Sequence, residues 1–179
     1  AGQPAISYTT GPPFQVKYAA FNGSAWQISR VDNTAGDTAG GGTSLAFSPV
    51  GKPSISYHEL STSDLMYASF DGAVWQNSAV DTTGVVGSST SLAFTPAGQP
   101  AICYNRFDTN QLKYAVFDGS VWQLAIVETA SSSVQDSSLA FTPGGRPAIA
   151  FSILNTADPD LRYATFDGSA WQSVAGRCR

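Results

Sequence analysis

Charge is scarce in this chain. Of its 179 residues only 12% are Asp, Glu, Lys or Arg, against roughly 25% in an average soluble domain. Nine basic side chains stand against thirteen acidic ones, for a formal net charge of −4, so the basic stripe that marks a nucleic-acid-binding surface is missing. Long apolar runs are missing as well. The stretch from Val121 to Val127 is already interrupted by Gln123, whereas a membrane-spanning helix takes ~20 apolar residues; insertion by helices is excluded. One histidine and two cysteines provide neither the clustered His and Cys spacing of a metal site nor a disulfide framework. A chain near this length buries ~70% of its unfolded surface, which sustains one sizeable core or a ring of small ones without such a framework. The opening Ala1-Gly2-Gln3-Pro4 has neither the basic start nor the apolar stretch of an export leader, so an exported protein is expected here in its mature form or as an excised part. What is abundant instead is apolar residues at 42%, 17 glycines and 10 prolines, with Ser and Thr filling much of the rest.

Repetition organises these residues. Pro4, Pro53, Pro100 and Pro147 open the segments PAISY, PSISY, PAICY and PAIAF, 47 to 49 residues apart. Each is followed by a second near-copy, VKYAAFNGSAWQ, LMYASFDGAVWQ, LKYAVFDGSVWQ and LRYATFDGSAWQ, which ends on Trp26, Trp75, Trp122 or Trp171 and its glutamine. A third element, SLAF, starts at Ser44, Ser91 and Ser138. The units are therefore 1-43, 44-90, 91-137 and 138-179, and the first has no SLAF.

Each element reads as a short strand. SLAF followed by a Pro- and Gly-containing turn and then PAISY predicts two antiparallel strands, since Pro presets φ and Gly supplies a positive one. The Asn-Gly or Asp-Gly of Asn22-Gly23, Asp71-Gly72, Asp118-Gly119 and Asp167-Gly168 predicts a hairpin with a type I′ turn, which needs φ > 0 at both central positions. The segments Asn33 to Thr43, Thr82 to Thr90 and Thr129 to Ser137 are rich in Gly, Ser and Thr and read as connections. Nothing shows a helical period. Four equal four-stranded meanders predict an all-β β-propeller of four blades of about 48 residues, one blade lacking a strand, in a single domain over 1-179. A β-sandwich is the competing architecture, but it does not require equal periods. The absent strand leaves three arrangements: a closed four-bladed ring, an eight-bladed ring of two chains, or part of a longer array.

The combined SLAFTPxGxPAISY and LKYAxFDGSxWQ pattern resembles repeats of secreted and cell-surface bacterial propeller proteins. The Gly-x-x-Trp end of each hairpin also resembles propeller lectins of the tachylectin type and of the fungal fucose-binding type. That resemblance implies shallow sugar sites between adjacent blades, although the repeated Arg and Glu pair of the fucose-binding type is absent. Asp118-Gly119-Ser120-Val121-Trp122 is one residue shorter than the Asp box of sialidase-like propellers, and the six arginines share no register that would supply their arginine triad. Hemopexin-like domains have four blades of similar length, but Cys103 sits in the third repeat, so their ring-closing disulfide is not reproduced.

Catalytic material is thin. A Ser-His-Asp triad would have to use His58 beside Glu59, without a Gly-x-Ser-x-Gly elbow; the plainer reading is a solvent-facing loop histidine. Paired-carboxylate chemistry has only Glu59 and Glu128 outside the repeated Asp positions, and Asp158-Pro159-Asp160 lacks the form of a calcium loop. The four tryptophans are either stacking platforms for pyranose rings, with an apolar face and an N–H donor, or inter-blade packing. Loops after the second strand hold the residues that vary between units, His58, Glu59, Asn105 and Arg106 among them, which marks them as candidate contacts or as drift on a solvated surface. Cys103 reads as a small buried thiol and Cys178 as a tether for the tail or for a second chain.

The expected function is that of a non-enzymatic, extracellular or cell-surface binding module. It would engage a glycan or a surface protein ligand through Trp26, Trp75, Trp122, Trp171, His58, Glu59, Asn105 and Arg106, without cofactor or metal. The competing expectations are a structural role through a homodimer or a larger self-assembly, and a glycoside hydrolase.

Overall fold

The computed structural model describes residues 2–32, 39–154 and 160–176. Fifteen strands build four antiparallel sheets in chain order. The first sheet has three strands, β1 (Ala5–Thr9), β2 (Val16–Phe21) and β3 (Trp26–Arg30). The second has four: β4 (Ala39–Phe47), β5 (Pro53–Glu59), β6 (Asp64–Phe70) and β7 (Trp75–Asp81). The third holds β8 (Val86–Phe94), β9 (Pro100–Arg106), β10 (Gln111–Phe117) and β11 (Trp122–Thr129), with a 3-10 turn at Phe107–Thr109. The fourth holds β12 (Val134–Phe141), β13 (Pro147–Ile153), β14 (Asp160–Phe166) and β15 (Trp171–Gly176). Every neighbouring pair is a meander step, so the strand that the first unit lacks is its innermost one.

Successive sheets pack face to face, as propeller blades do. The inner strands β4, β8 and β12 follow one another, β1 lies against β4, and side chains stitch neighbouring sheets together. Ser44 Oγ accepts from the Leu92 amide at 3.0 Å, Ser91 Oγ accepts from the Leu139 amide at 3.0 Å, and the Ser56 and Thr90 hydroxyls meet at 2.9 Å. Among the described residues the first and fourth sheets share no comparable packing, so the closed four-bladed ring is not what forms; the array is an open arc.

The core is correspondingly divided into one slab per junction. Val16, Val31, Ile55, Tyr57 and Ala68 fill the first junction. Leu65, Val86, Ile102, Tyr104 and Ala115 lie in the second, and Leu112, Tyr114, Ile149, Phe151 and Ala164 in the third. Burial follows the number of covered faces. In β5 every residue is buried, because the second sheet is sandwiched on both sides. In β13 burial alternates, with Ile149, Phe151 and Ile153 inside, because only one face of the fourth sheet is covered.

Two local expectations are corrected. The Asp-Gly hairpins are four-residue loops between strands, Asp71 to Val74 for example, rather than two-residue type I′ turns, and only the glycine takes positive φ, as at Gly72 (116°) and Gly119 (108°). The inner strands also begin inside the supposed connections, at Ala39, Val86 and Val134. Each carries a bulge, with register shifts between Ala39 and Thr43, Val86 and Thr90, and Gln135 and Ser138. Gly42 permits the close approach at one of them, since a Cβ there would lie 2.8 Å from the Ser88 carbonyl oxygen.

Candidate functional site

The hairpin loops set the geometry of the clefts between sheets. In each, one carboxylate oxygen of the aspartate accepts two loop amides: Asp118 Oδ1 takes those of Ser120 and Val121 at 2.8 and 2.9 Å, while Oδ2 takes the Gln123 side-chain amide at 2.7 Å. Asp71 with Gln76 and Asp167 with Gln172 repeat the arrangement, and Asn22 gives the backbone part of it. These glutamines, which sequence reasoning passed over, brace the turn directly before each tryptophan.

The same hydrogen bonds favour the ionised form of the aspartates. Amides of Val74 and Ala73 and the Gln76 side chain hold Asp71 down at about 2, and the corresponding donors hold Asp118 and Asp167 well below the ordinary carboxylate range. A folded-state pKa below the unfolded value of 3.8 contributes stability that is present above the unfolded pKa and lost as pH falls through the folded one. The melting temperature should therefore hold on acidification to about pH 4 and drop between there and about pH 2, which a series of thermal melts reads directly.

The tryptophans do two things at once. The indoles of Trp75, Trp122 and Trp171 each meet the tyrosine of the preceding sheet edge to face, Tyr18, Tyr67 and Tyr114, at centroid distances of 5.4, 5.3 and 5.2 Å. Their other edges lean on Phe70, Phe117 and Phe166. They are packing residues that remain partly exposed and so line three open clefts. The first, about 510 Å³, sets Ser29, Arg30 and Asp32 against Phe70 and Trp75, with Trp75 Nε1 donating to Ser29 Oγ at 3.3 Å. The second, about 210 Å³, is bounded by Tyr67, Ser69, Gln76, Asn77, Phe117 and Trp122. The third, about 320 Å³, is more apolar, with Val116, Leu124, Phe141 and Trp171. Trp26 has no preceding sheet and lines none of these clefts, although it keeps its contact with Phe21.

The variable residues lie elsewhere and mostly at strand ends rather than in loops. His58 is buried in β5, not solvent-facing: its Nδ1 donates to the Val86 carbonyl at 2.7 Å and ties the second sheet to the third. Asn105 occupies the same place in β9 and donates to the Val134 carbonyl at 3.4 Å. Its Oδ1 accepts from Ser88 Oγ and the Ser89 amide at 3.1 and 3.0 Å. Glu59, also buried, accepts from Ser61 Oγ at 3.1 Å. Arg106 makes a two-pronged pair with Asp108 at 2.9 and 3.0 Å. Asn105 also lines a polar cavity of about 410 Å³ together with Ser88, Gln135 and Asp136. Asp158-Pro159 and Cys178 lie outside the described residues. Cys103 is a free thiol that burial pushes up to about 12, so it stays protonated and unreactive.

Asp81 and Glu128 hold sheets together, and Asp32 is paired within its own sheet. Asp81, fully buried, bonds Lys113 Nζ and accepts from Tyr104 Oη at 2.8 Å; burial opposes its ionisation, but these donors outweigh burial and keep its carboxyl below the ordinary range. Glu128 accepts from Arg162 at 2.5 Å across the third junction, and Asp32 pairs with Arg30 at 2.9 Å. Among the described residues no group of three or more His, Cys, Asp and Glu is placed to hold a metal ion.

No family model and no curated protein sequence matches the chain. Solved structures do. A fucose lectin from Kordia zhangzhouensis, in complex with methyl-fucoside, is 14% identical with a TM-score of 0.53 over 75% of this chain and 97% of that one. The six-bladed β-propeller lectin of Aleuria aurantia is 18% identical with a TM-score of 0.54 over 99% of this chain and 61% of its own. An α-L-arabinofuranosidase from Podospora anserina, in complex with cellotriose, is 11% identical with a TM-score of 0.56 over 94% and 61%. The chain thus spans less than two thirds of the last two. At such identities the likeness is one of fold, and it establishes these four sheets as the blades of a propeller-like array.

Proposed function

We propose that this chain is a carbohydrate-binding module of the propeller-lectin kind, acting outside the cell and without turnover. The observation that carries the reading is the three open clefts between successive sheets, each built on a partly exposed tryptophan. The second cleft is lined by the polar Ser69, Gln76 and Ser78 together with the indole of Trp122. An apolar face beside a few polar groups suits a pyranose ring. The carboxylates that hydrolysis would call on, Glu59, Glu128, Asp32 and Asp81, are instead bonded to neighbouring side chains. The likeness in fold to two fucose lectins supports the reading, and fucose-type glycosides are the first probes to use. Single sites of this depth bind weakly, with Kd of roughly millimolar, or ~4 kcal/mol, and gain through multivalency.

Calorimetric titration with methyl glycosides, together with a glycan array at high protein concentration, tests the proposal. The expected result is saturable binding that quenches tryptophan fluorescence and falls selectively in Trp122→Leu. No binding to any glycan overturns it, and release of reducing sugar during the titration replaces it with the hydrolase reading.

A further inference from the structure

The two ends of the arc expose complementary halves of the junction that the chain builds three times internally. At each internal junction the following sheet contributes a central isoleucine, and Ile55, Ile102 and Ile149 are all 0% exposed; the equivalent Ile6 is 48% exposed. The preceding sheet contributes Val16, Leu65 or Leu112, again 0% exposed; the equivalent Leu161 is 52% exposed. The edge-to-face pair is divided in the same way. Tyr18, Tyr67 and Tyr114 each meet a tryptophan of the next sheet, whereas Tyr163 and Trp26 are each 43% exposed.

Strand register places these residues on the outward faces. In the first sheet Ile6, Ala19 and Ile28 stand side by side across the strands, on the face opposite to the one that carries Tyr18. In the fourth sheet Ala150, Tyr163 and Val174 do so, on the face opposite to Ile149. We infer that the outward face of the fourth sheet docks on the outward face of the first sheet of a second copy of this chain, head to tail, and that Tyr163 of one copy completes the packing of Trp26 in the other. The occupant follows from continuity with the internal junctions, since the two open faces carry the donor and acceptor halves of an interface already made three times. One difference sets the new junction apart from the second and third internal ones. The position of Asp32, Asp81 and Glu128 is taken in the fourth repeat by Arg177, so the carboxylate that receives Lys113 and Arg162 has no counterpart for Lys17. The contact is apolar and should persist in high salt.

Because the two faces differ, the contact is heterologous, and it yields a ring if the rotation closes and a filament if it does not. Sedimentation velocity over a concentration series should show species heavier than 18.7 kDa that grow with concentration and survive high salt. Ile6→Glu and Leu161→Glu, both at half-exposed positions and checked for folding by circular dichroism, should each abolish association. An equimolar mixture of the two should restore it, stopping at two copies, because each variant keeps the face that the other has lost. A wild-type chain that stays at 18.7 kDa overturns the inference and assigns the faces to another occupant, such as further repeats of a longer chain. Association that survives either substitution, or a mixture that stays monomeric, overturns it as well.

Discussion

Replacing Lys113 with methionine should remove about 3–5 kcal/mol of stability, the cost of leaving one member of a buried ion pair without its partner. Asp81 is 0% and the Lys113 side chain 9% exposed, so water does not screen the loss. Tyr104 Oη and the Thr83 amide would still donate to Asp81, but neither supplies charge. The deficit relative to wild type should shrink as pH is lowered, because a protonated Asp81 needs no cation. The protein itself contains the control. At the first junction the position of Lys113 is held by Met66, and Asp32 is satisfied instead by Arg30, two residues before it. The matching position beside Asp81 is Ala79, which is exposed. Lys113→Met combined with Ala79→Arg should therefore recover most of the loss in urea unfolding. If the double variant is no more stable than Lys113→Met alone, the two junctions are not interchangeable and the account of Asp81 fails.

The second large effect separates four residues that look the same in the sequence. Ile55→Ala, Ile102→Ala and Ile149→Ala should each cost about 2–5 kcal/mol, the range for emptying a close-packed isoleucine site. Ile6→Ala, measured on the monomer, should cost under about 1 kcal/mol, since its side chain is 48% exposed and leaves no closed cavity. Chemical denaturation of the four variants gives the comparison directly. Equal losses at all four positions would show that the first sheet is covered in solution, and would then have to be traced to the partner that covers it.

That contrast marks what the sequence can carry. Strand identity is legible because it is local: the alternation in PAISY, the proline and glycine between SLAF and PAISY, and the Asp-Gly ahead of each tryptophan act within a few residues. The fifteen strands and the absent inner strand follow from them. The tryptophan role is only half legible. Its recurrence announces a per-blade duty, but whether an indole packs depends on a tyrosine 55 to 57 positions earlier, and Trp26 has none. His58 and Asn105 were misplaced for a related reason. A polar residue just after Tyr57 or Tyr104 looks like the start of a loop, yet the bulged β8 and β12 bring the Val86 and Val134 carbonyls against it. The bulges also explain the misread connections, because Gly42 and Gly87 resemble loop glycines while serving close backbone approach in a strand. Asp81 and Lys113, 32 residues apart, gave no signal as a pair; the shared position of Lys113 and Arg162 was the one available clue.

The serine stitches between inner strands have a consequence for how such a chain changes in length. Ser44 reaches Leu92 and Ser91 reaches Leu139 across the same interval of 48 residues, so each unit addresses the one after it and no other. A gene segment encoding one unit, duplicated in frame, would arrive with its own donor, acceptor and packing face already matched to both neighbours. The number of sheets is then free to drift by whole units at little cost to those already present, and the curvature of the arc, rather than any single residue, decides at what count it meets itself.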